Sequence, residues 1–242
     1  MKLVLAIALV ATAACRDDDI PDLPINPPTG SGSPVVGKGV TGVPPGTIVL
    51  LSGRVCLITV NAFALAQCAT TGAGNFSVAL GGATVVTADD GTFVIRAPVS
   101  PGQVFQVTGD TIVPAAQAVQ AINIIPAFDT GLFTTLLTTN GISVSPTMGS
   151  VMASVTNNAG QPVAGVTATS NPTSASGPFF DGAQPSQFSQ NETGNSGIVF
   201  FPGLTTIGPT AINFTQSSGV ETTVDGVQVF DGGITFVPAP LP

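Results

Sequence analysis

The sequence predicts an all-β protein built as two small β-sandwiches joined by a linker with a short helix, and three observations predict it. Apolar residues alternate with polar ones in short runs, and those runs are separated by Gly, Asn and Asp. Gly and Pro number 29 and 21 among 242 residues, a turn-rich share that stays below the level of a disordered chain. Hydrophobic residues make up 43%, enough for a buried core, whereas charged residues make up only 7%.

Residues 1–15 read MKLVLAIALVATAAC. Lys2 supplies a positive start, Leu3 to Val10 is unbroken apolar sequence, and Thr12-Ala13-Ala14 supplies the small residues that a signal peptidase accepts. The apolar run is too short for a bilayer, which needs about 20 residues. Residues 1–14 are therefore expected to be a signal peptide. Residues 15–45 follow as a flexible, disordered tether, acidic at first and crowded with Pro and Gly.

The first sandwich is expected over residues 46–114. Phe76, Val78 and Leu80 share one strand face, and Gln103, Phe105 and Val107 give another alternating run. Ala83 to Ala88 and Thr92 to Ala97 flank Asp89-Asp90-Gly91, which reads as a hairpin turn because Asp-Gly tolerates positive φ. Residues 115–147 form the expected linker. There Asp129-Thr130 can cap a helix carrying Leu132, Phe133, Leu136 and Leu137 on one stripe, with Gly141 at its end. Such a helix would plug the end of a sandwich.

The second sandwich is expected over residues 148–242. Val151, Ala153 and Val155 alternate, Asn157 to Gln161 turns the chain, and Val166 and Ala168 continue on the next strand. Later runs are Ile198 to Phe201, Ala211 to Thr215, Val224 to Phe230 and Ile234 to Val237. Asn171 to Gly197 reads as a decorated loop or loose hairpin. Phe179 and Phe180 lie inside it; exposed, they would favour a protein partner, and buried, plain packing.

Two resemblances extend this reading. Cys15, placed after small residues at the end of an apolar run, resembles the lipobox of bacterial lipoproteins. The resemblance implies a cut between Ala14 and Cys15, acylation of Cys15 with palmitate-like chains, and a membrane partner held through that lipid. Arg16 rather than Asp after the Cys implies the outer membrane of a bacterial cell envelope. In the second half, MASVTNNAGQPVAGVTAT at Met152 to Thr169 and TGNSGIVFF at Thr193 to Phe201 resemble the carboxypeptidase-regulatory-like family of transthyretin-like sandwiches. GGATVVTADDGTFVI at Gly81 to Ile95 is similar to that family's second half. The resemblance implies Greek-key, Ig-like sandwiches without catalytic residues of their own.

Composition narrows the chemistry. The chain has no His, no Tyr and no Trp, so it offers no Ser-His or Cys-His pair and no imidazole ligand. No metal, cofactor or enzymatic activity is expected. Cleavage of the signal would remove Lys2, leaving Arg16, Lys38, Arg54 and Arg96 against 13 acidic residues. Such a chain repels phosphate, so nucleic acid is not an expected partner.

Cys56 and Cys68 remain as an even pair in an exported chain, on either side of a turn near Ala62. Antiparallel strands could bring them together as a disulfide, the alternative being free buried thiols; they lack the close Cys-x-x-Cys spacing of a redox pair. Asp89 and Asp90 could offer carboxylates to Ca²⁺, but no third ligand is spaced to complete a loop, and Glu221, Asp225 and Asp231 are scattered. Lys38, in the tether, is out of place for an intramolecular isopeptide. Asn191-Glu192-Thr193 matches a glycosylation sequon that a bacterium would not use.

The expected function is that of a non-catalytic, lipid-anchored envelope protein presenting sandwich modules for structural or adhesive contact with a protein or glycan partner. The alternatives are a carbohydrate-binding module, which the missing Trp and Tyr disfavour, and an enzyme with a carboxylate-only site using Glu192 or Glu221.

Overall fold

Strands carry side chains alternately to the two faces of a sheet, so a strand that is apolar at every position must be covered on both sides. Ile198 to Leu204 is of this kind, and Ile234 to Val237, apolar but for Thr235, is likewise buried throughout. They lie in the middle of the molecule, and the rest is arranged around them.

The structure, a computed structural model, describes residues 46–189 and 191–242. The expected signal peptide, Cys15 and the expected tether to residue 45 lie outside the described residues. The first half contributes β1 (Thr47–Ile58), β2 (Ser77–Leu80), β3 (Ala83–Val86), β4 (Thr92–Val99) and β5 (Val104–Thr108). Next come β6 (Ala115–Ala118), β7 (Asn123–Phe128) and the helix α1 (Thr130–Thr139). The second half adds β8 (Gly149–Thr156), β9 (Val166–Asn171), β10 (Phe179–Asp181), β11 (Phe188–Ser189) and β12 (Ile198–Leu204). β13 (Thr210–Gln216), β14 (Glu221–Val227) and β15 (Ile234–Pro240) complete the chain. The protein is all-β, as its alternating runs predict.

A nine-stranded sheet, in the order β11-β10-β12-β8-β15-β6-β5-β2-β3, runs through both halves. A sheet of β4-β1-β7 packs on one face of it, and a sheet of β14-β13-β9 on the other. Alternation along the central strands serves both packings. Val151, Ala153 and Val155 of β8 join the core under β9 and β13, whereas Met152 joins the core under β1 and β4. Phe201 and Val199 of β12 divide from Phe200 and Ile198 in the same way.

Two sandwich packings are thus present, but the division into 46–114, a linker 115–147, and 148–242 takes a different form. All described residues belong to one compact unit. β6 and β7 are built from the expected linker, and β15 is inserted between β6 and β8, parallel to both. Parallel neighbours are far apart in sequence, so no local pattern marks them.

The turn at Asp89-Asp90-Gly91 also differs from the expected hairpin. Gly91 has φ +86°, and its N–H donates to the Ala88 carbonyl at 2.8 Å. The strands on either side then part, β3 pairing with β2 and β4 with β1, so the turn carries the chain between layers. The tight hairpin lies one step earlier, at Gly81-Gly82, where both residues have positive φ.

Helix α1 follows its sequence signals closely. The Asp129 carboxylate accepts from the N–H groups of Gly131 and Leu132 at 2.9 and 3.1 Å. At the other end Gly141 has φ +64°, its N–H donates to Thr138, and the Ile142 N–H reaches back to Leu137. That double closure is a Schellman motif. Leu136 is fully buried, and Leu132, Phe133 and Leu137 pack half-buried against the first core. The Asn140 side chain ties the helix to the chain beyond β10, donating to Ser186 O and accepting from the Phe188 N–H.

The expected loop at 171–197 is organised by a buried carboxylate. Asp181, 1% exposed, accepts from the N–H groups of Gly194, Ser196 and Ile198 at 2.6 to 2.9 Å. Phe180 is buried and Phe179 half-buried within an aromatic cluster, so both are packing residues.

Candidate functional site

Cys56 and Cys68 form a disulfide, with Cα atoms 4.4 Å apart. Cys56 belongs to β1, but Cys68 is held by a looped segment rather than by an antiparallel partner strand. The segment closes on itself through short turns, and the Ala69 N–H donates to Leu57 O at 3.0 Å. Arg54 supports this corner by donating to Ala69 O at 3.0 Å and to Asp90 O at 2.8 Å.

The disulfide-bonded loop forms one rim of a groove of about 690 Å³, within the range of ligand sites. The edge of β7 away from β1 forms a wall, and parts of β15 and β8 form the floor, half-buried at Ser154, Thr156 and Pro238 and buried at Met152 and Phe236. The sheet β4-β1-β7 stops at β7, while the central sheet beneath it continues through β15 and β8. Among the described residues no further strand pairs with β7 above that part of the central sheet.

The floor carries an anomaly in its side-chain pattern. Phe105, Gln117, Phe236, Met152, Phe200 and Phe179 are successive cross-strand partners on β5, β6, β15, β8, β12 and β10. Gln117 is the one polar residue in that row. It is 5% exposed, it lines the groove, and its side-chain amide makes no hydrogen bond among the described residues. Its neighbours in the row, Phe105 and Phe236, are fully apolar and buried. The Gln117 amide atoms are not fully enclosed and so meet whatever fills the groove, whereas the enclosed side-chain atom left without a partner among the described residues is Thr210 Oγ1.

The wall has its own unsatisfied groups. The Asp129 N–H donates to Ile58 O at 3.1 Å, so odd-numbered residues here direct their peptide groups toward β1. Ile124 therefore directs its N–H and C=O to the open side. Pro126, the next residue so directed, has no N–H and limits the edge to a short stretch. Among the described residues no charged side chain lines the groove; its polar groups are amides and hydroxyls, among them Asn61, Gln120, Ser154 and Thr156.

The carboxylates considered from the sequence lie elsewhere. Asp89, Asp90, Glu192, Glu221, Asp225 and Asp231 are exposed, and no three metal-ligating side chains cluster among the described residues. Asp90 accepts from the Thr92 N–H and hydroxyl at 3.0 and 2.7 Å. These two bonds, with the nearby Arg54 charge, hold its carboxyl below the usual carboxylate value. It serves the turn. Sequence reasoning missed Gln117, Ile124 and Asp181. The only local signal was polarity in an apolar setting, which for Gln117 becomes visible once six strands are aligned.

Together these features define an all-β sandwich protein with a neutral groove at an open strand edge. No protein-family model matches the sequence, and no curated protein matches it. Among solved structures it is similar to the Bacillus anthracis TIE protein, at 13% identity over 78% of this chain and 33% of that one, with a TM-score of 0.23. It is also similar to a streptococcal ancillary pilin, at 12% identity over 78% of this chain and 68% of that one, TM-score 0.24. The major pilin of Streptococcus pyogenes gives 10% identity over 79% and 99% of the two chains, TM-score 0.19. The chain spans a third of the TIE protein's length, and at these scores the likenesses carry no argument about function.

Proposed function

We propose that the protein is a bacterial envelope lipoprotein, acylated on Cys15, whose tether presents a sandwich body for structural or adhesive contact. The observation that carries this is the run Leu3 to Val10 followed by Thr12-Ala13-Ala14-Cys15. The resemblance of Met152 to Thr169 to carboxypeptidase-regulatory-like sandwiches supports a display role. So does the Cys56–Cys68 disulfide, a bond that persists in exported proteins. Thirty residues separate Cys15 from Gly46, and fully extended they reach at most roughly 100 Å. Several acyl chains at about 0.8 kcal/mol per buried methylene hold such a protein firmly to a membrane.

The test is envelope fractionation with labelled palmitate, wild type against Cys15→Ser. The expected result is label and outer-membrane retention in the wild type alone. Equal labelling and equal retention in both would overturn the reading.

A further inference from the structure

We infer that the groove beside β7 receives an extended, uncharged polypeptide segment, which adds to the β4-β1-β7 sheet at Ile124 and satisfies the Gln117 amide. This deepens the contact role proposed above by naming the partner's chemistry. It depends on the groove and not on the lipid.

Three independent features converge on that guest. Gln117 is 95% buried in a row of Phe and Met, and its amide, with a donor and an acceptor, faces the groove without a hydrogen-bond partner among the described residues. A peptide group offers the matching acceptor and donor. Ile124 directs its N–H and C=O to the same groove, and among the described residues β7 has no strand on that side. Finally, the central sheet continues under the groove, so a strand laid beside β7 would meet a floor offered by the half-buried Ser154, Thr156 and Pro238. Main-chain pairing at an open edge supplies affinity in this mode, and alternate side chains supply selection.

The neutrality of the lining sets the composition of the guest. With no charge to pair, a buried Lys, Arg, Asp or Glu would be disfavoured, and small or β-branched neutral residues suit the floor. A glycan fits less well. Sugars stack on exposed aromatic faces, and the groove's Phe63 and Phe236 are 5% and 3% exposed. Pro126 ends the free edge, so the paired stretch is short.

The test uses the full mature chain, in wild-type and Cys15→Ser forms, against capped octapeptides of Ala, Val, Thr and Ser. A matched set carries N-methyl groups on alternate residues, which removes edge hydrogen bonds while keeping the side chains. The expected result is saturable binding, equal in both forms of the chain, and at least tenfold weaker for one of the two alternate N-methyl registers. Gln117→Leu should weaken binding at least tenfold while unfolding at the wild-type temperature or above, because Leu completes an apolar row. Ile124→Pro, which removes only an outward N–H, should weaken it similarly.

Four outcomes would overturn the inference. They are no saturable binding by any peptide, indifference to N-methylation, a lowered unfolding temperature in Gln117→Leu, or saturation by neutral oligosaccharides in place of peptides. Loss of palmitate labelling would leave this result untouched, so the two readings fail separately.

Discussion

The two faces of the central sheet are packed by different means, although the same strands supply both. On the face under β1 and β4 the core is aromatic. Phe63, Phe93, Phe105, Phe128, Phe133, Phe179, Phe188, Phe200 and Phe236 form seven ring pairs there, with centroids 5.1 to 6.1 Å apart. A helix, a disulfide and a groove lie on the same side. On the face under β9 and β13 the core is mainly aliphatic and Val-rich, with Phe180, Phe201 and Phe214, and it is roofed by three strands. Large rings can bridge a helix, a loop and a sheet edge that do not share regular spacing, whereas small aliphatics suit two sheets in register. The irregular face is therefore the one with room for a partner.

Adjacent residues of β12 give the sharpest way to break this comparison. Phe200 stacks on Phe188 and meets Phe133 edge-on, while Phe201 points to the opposite core; both are 0% exposed. Truncation of either to Ala should cost about 3–5 kcal/mol. Hydrogen exchange should locate the damage differently: Phe200→Ala loosens α1 and Phe188, and Phe201→Ala loosens β9 and β13. Loosening of the same amides in both variants would show the cores to be one.

The disulfide belongs to the aromatic face alone. Its ends are 12 residues apart, and loss of such a cross-link costs about 3 kcal/mol by loop-closure entropy. The double variant Cys56→Ala/Cys68→Ala, measured by denaturant unfolding, should show that loss with the rim of the groove freed first. An unchanged midpoint would remove the disulfide from the list of supports.

Which parts could be read from the sequence follows from how local their causes are. Val151, Ala153 and Val155 declare a strand through their own alternation, and α1 declares its ends through Asp129 and Gly141. The Cys pair was legible by parity. By contrast, β6 and β7 come from Ala115–Ala118 and Asn123–Phe128, where small residues and Pro126 blur any period. The place of β15 between β6 and β8 depends on parallel partners about 80 and 120 residues away, which alternation cannot encode. The groove was unreadable for the same reason, since its floor, wall and rim come from separate parts of the chain. At Asp90-Gly91 the turn itself was legible, but not that it joins two layers.

Asp181 shares its strand face with Phe179, on the aromatic side, where its carboxylate gathers the N–H groups of Gly194, Ser196 and Ile198 at and just before the start of β12. In Asp181→Asn one acceptor becomes an NH₂ that faces a backbone donor. A loss of about 1.5–3 kcal/mol is expected, the range for hydrogen bonds to a charged group. Thermal unfolding measures it. A loss under half a kcal/mol, on the order of a surface substitution, would mean the loop from 182 to 197 is held by its other contacts.

The smallest effect is expected at Asp90, on the aromatic side and fully exposed. The Thr92 N–H and then its hydroxyl, helped by the Arg54 charge, favour the ionised carboxyl in the folded chain. Its folded value lies below its unfolded one, so the folded protein releases this proton more readily. The resulting stability is complete above the ordinary carboxylate value of 3.8 and fades as the pH falls through the lowered folded value. Asp90→Ala should therefore unfold slightly more easily than wild type near neutrality, and the two midpoints should converge in acid. Denaturant curves at a series of pH values from neutral to strongly acid would show it. A gap that stays constant into acid would assign the effect to the shape of the turn rather than to the charge. In that case the crossing between layers would be held by the backbone of Gly91, where an added Cβ would collide with the Val55 carbonyl, and Gly91→Ala would become the more damaging change.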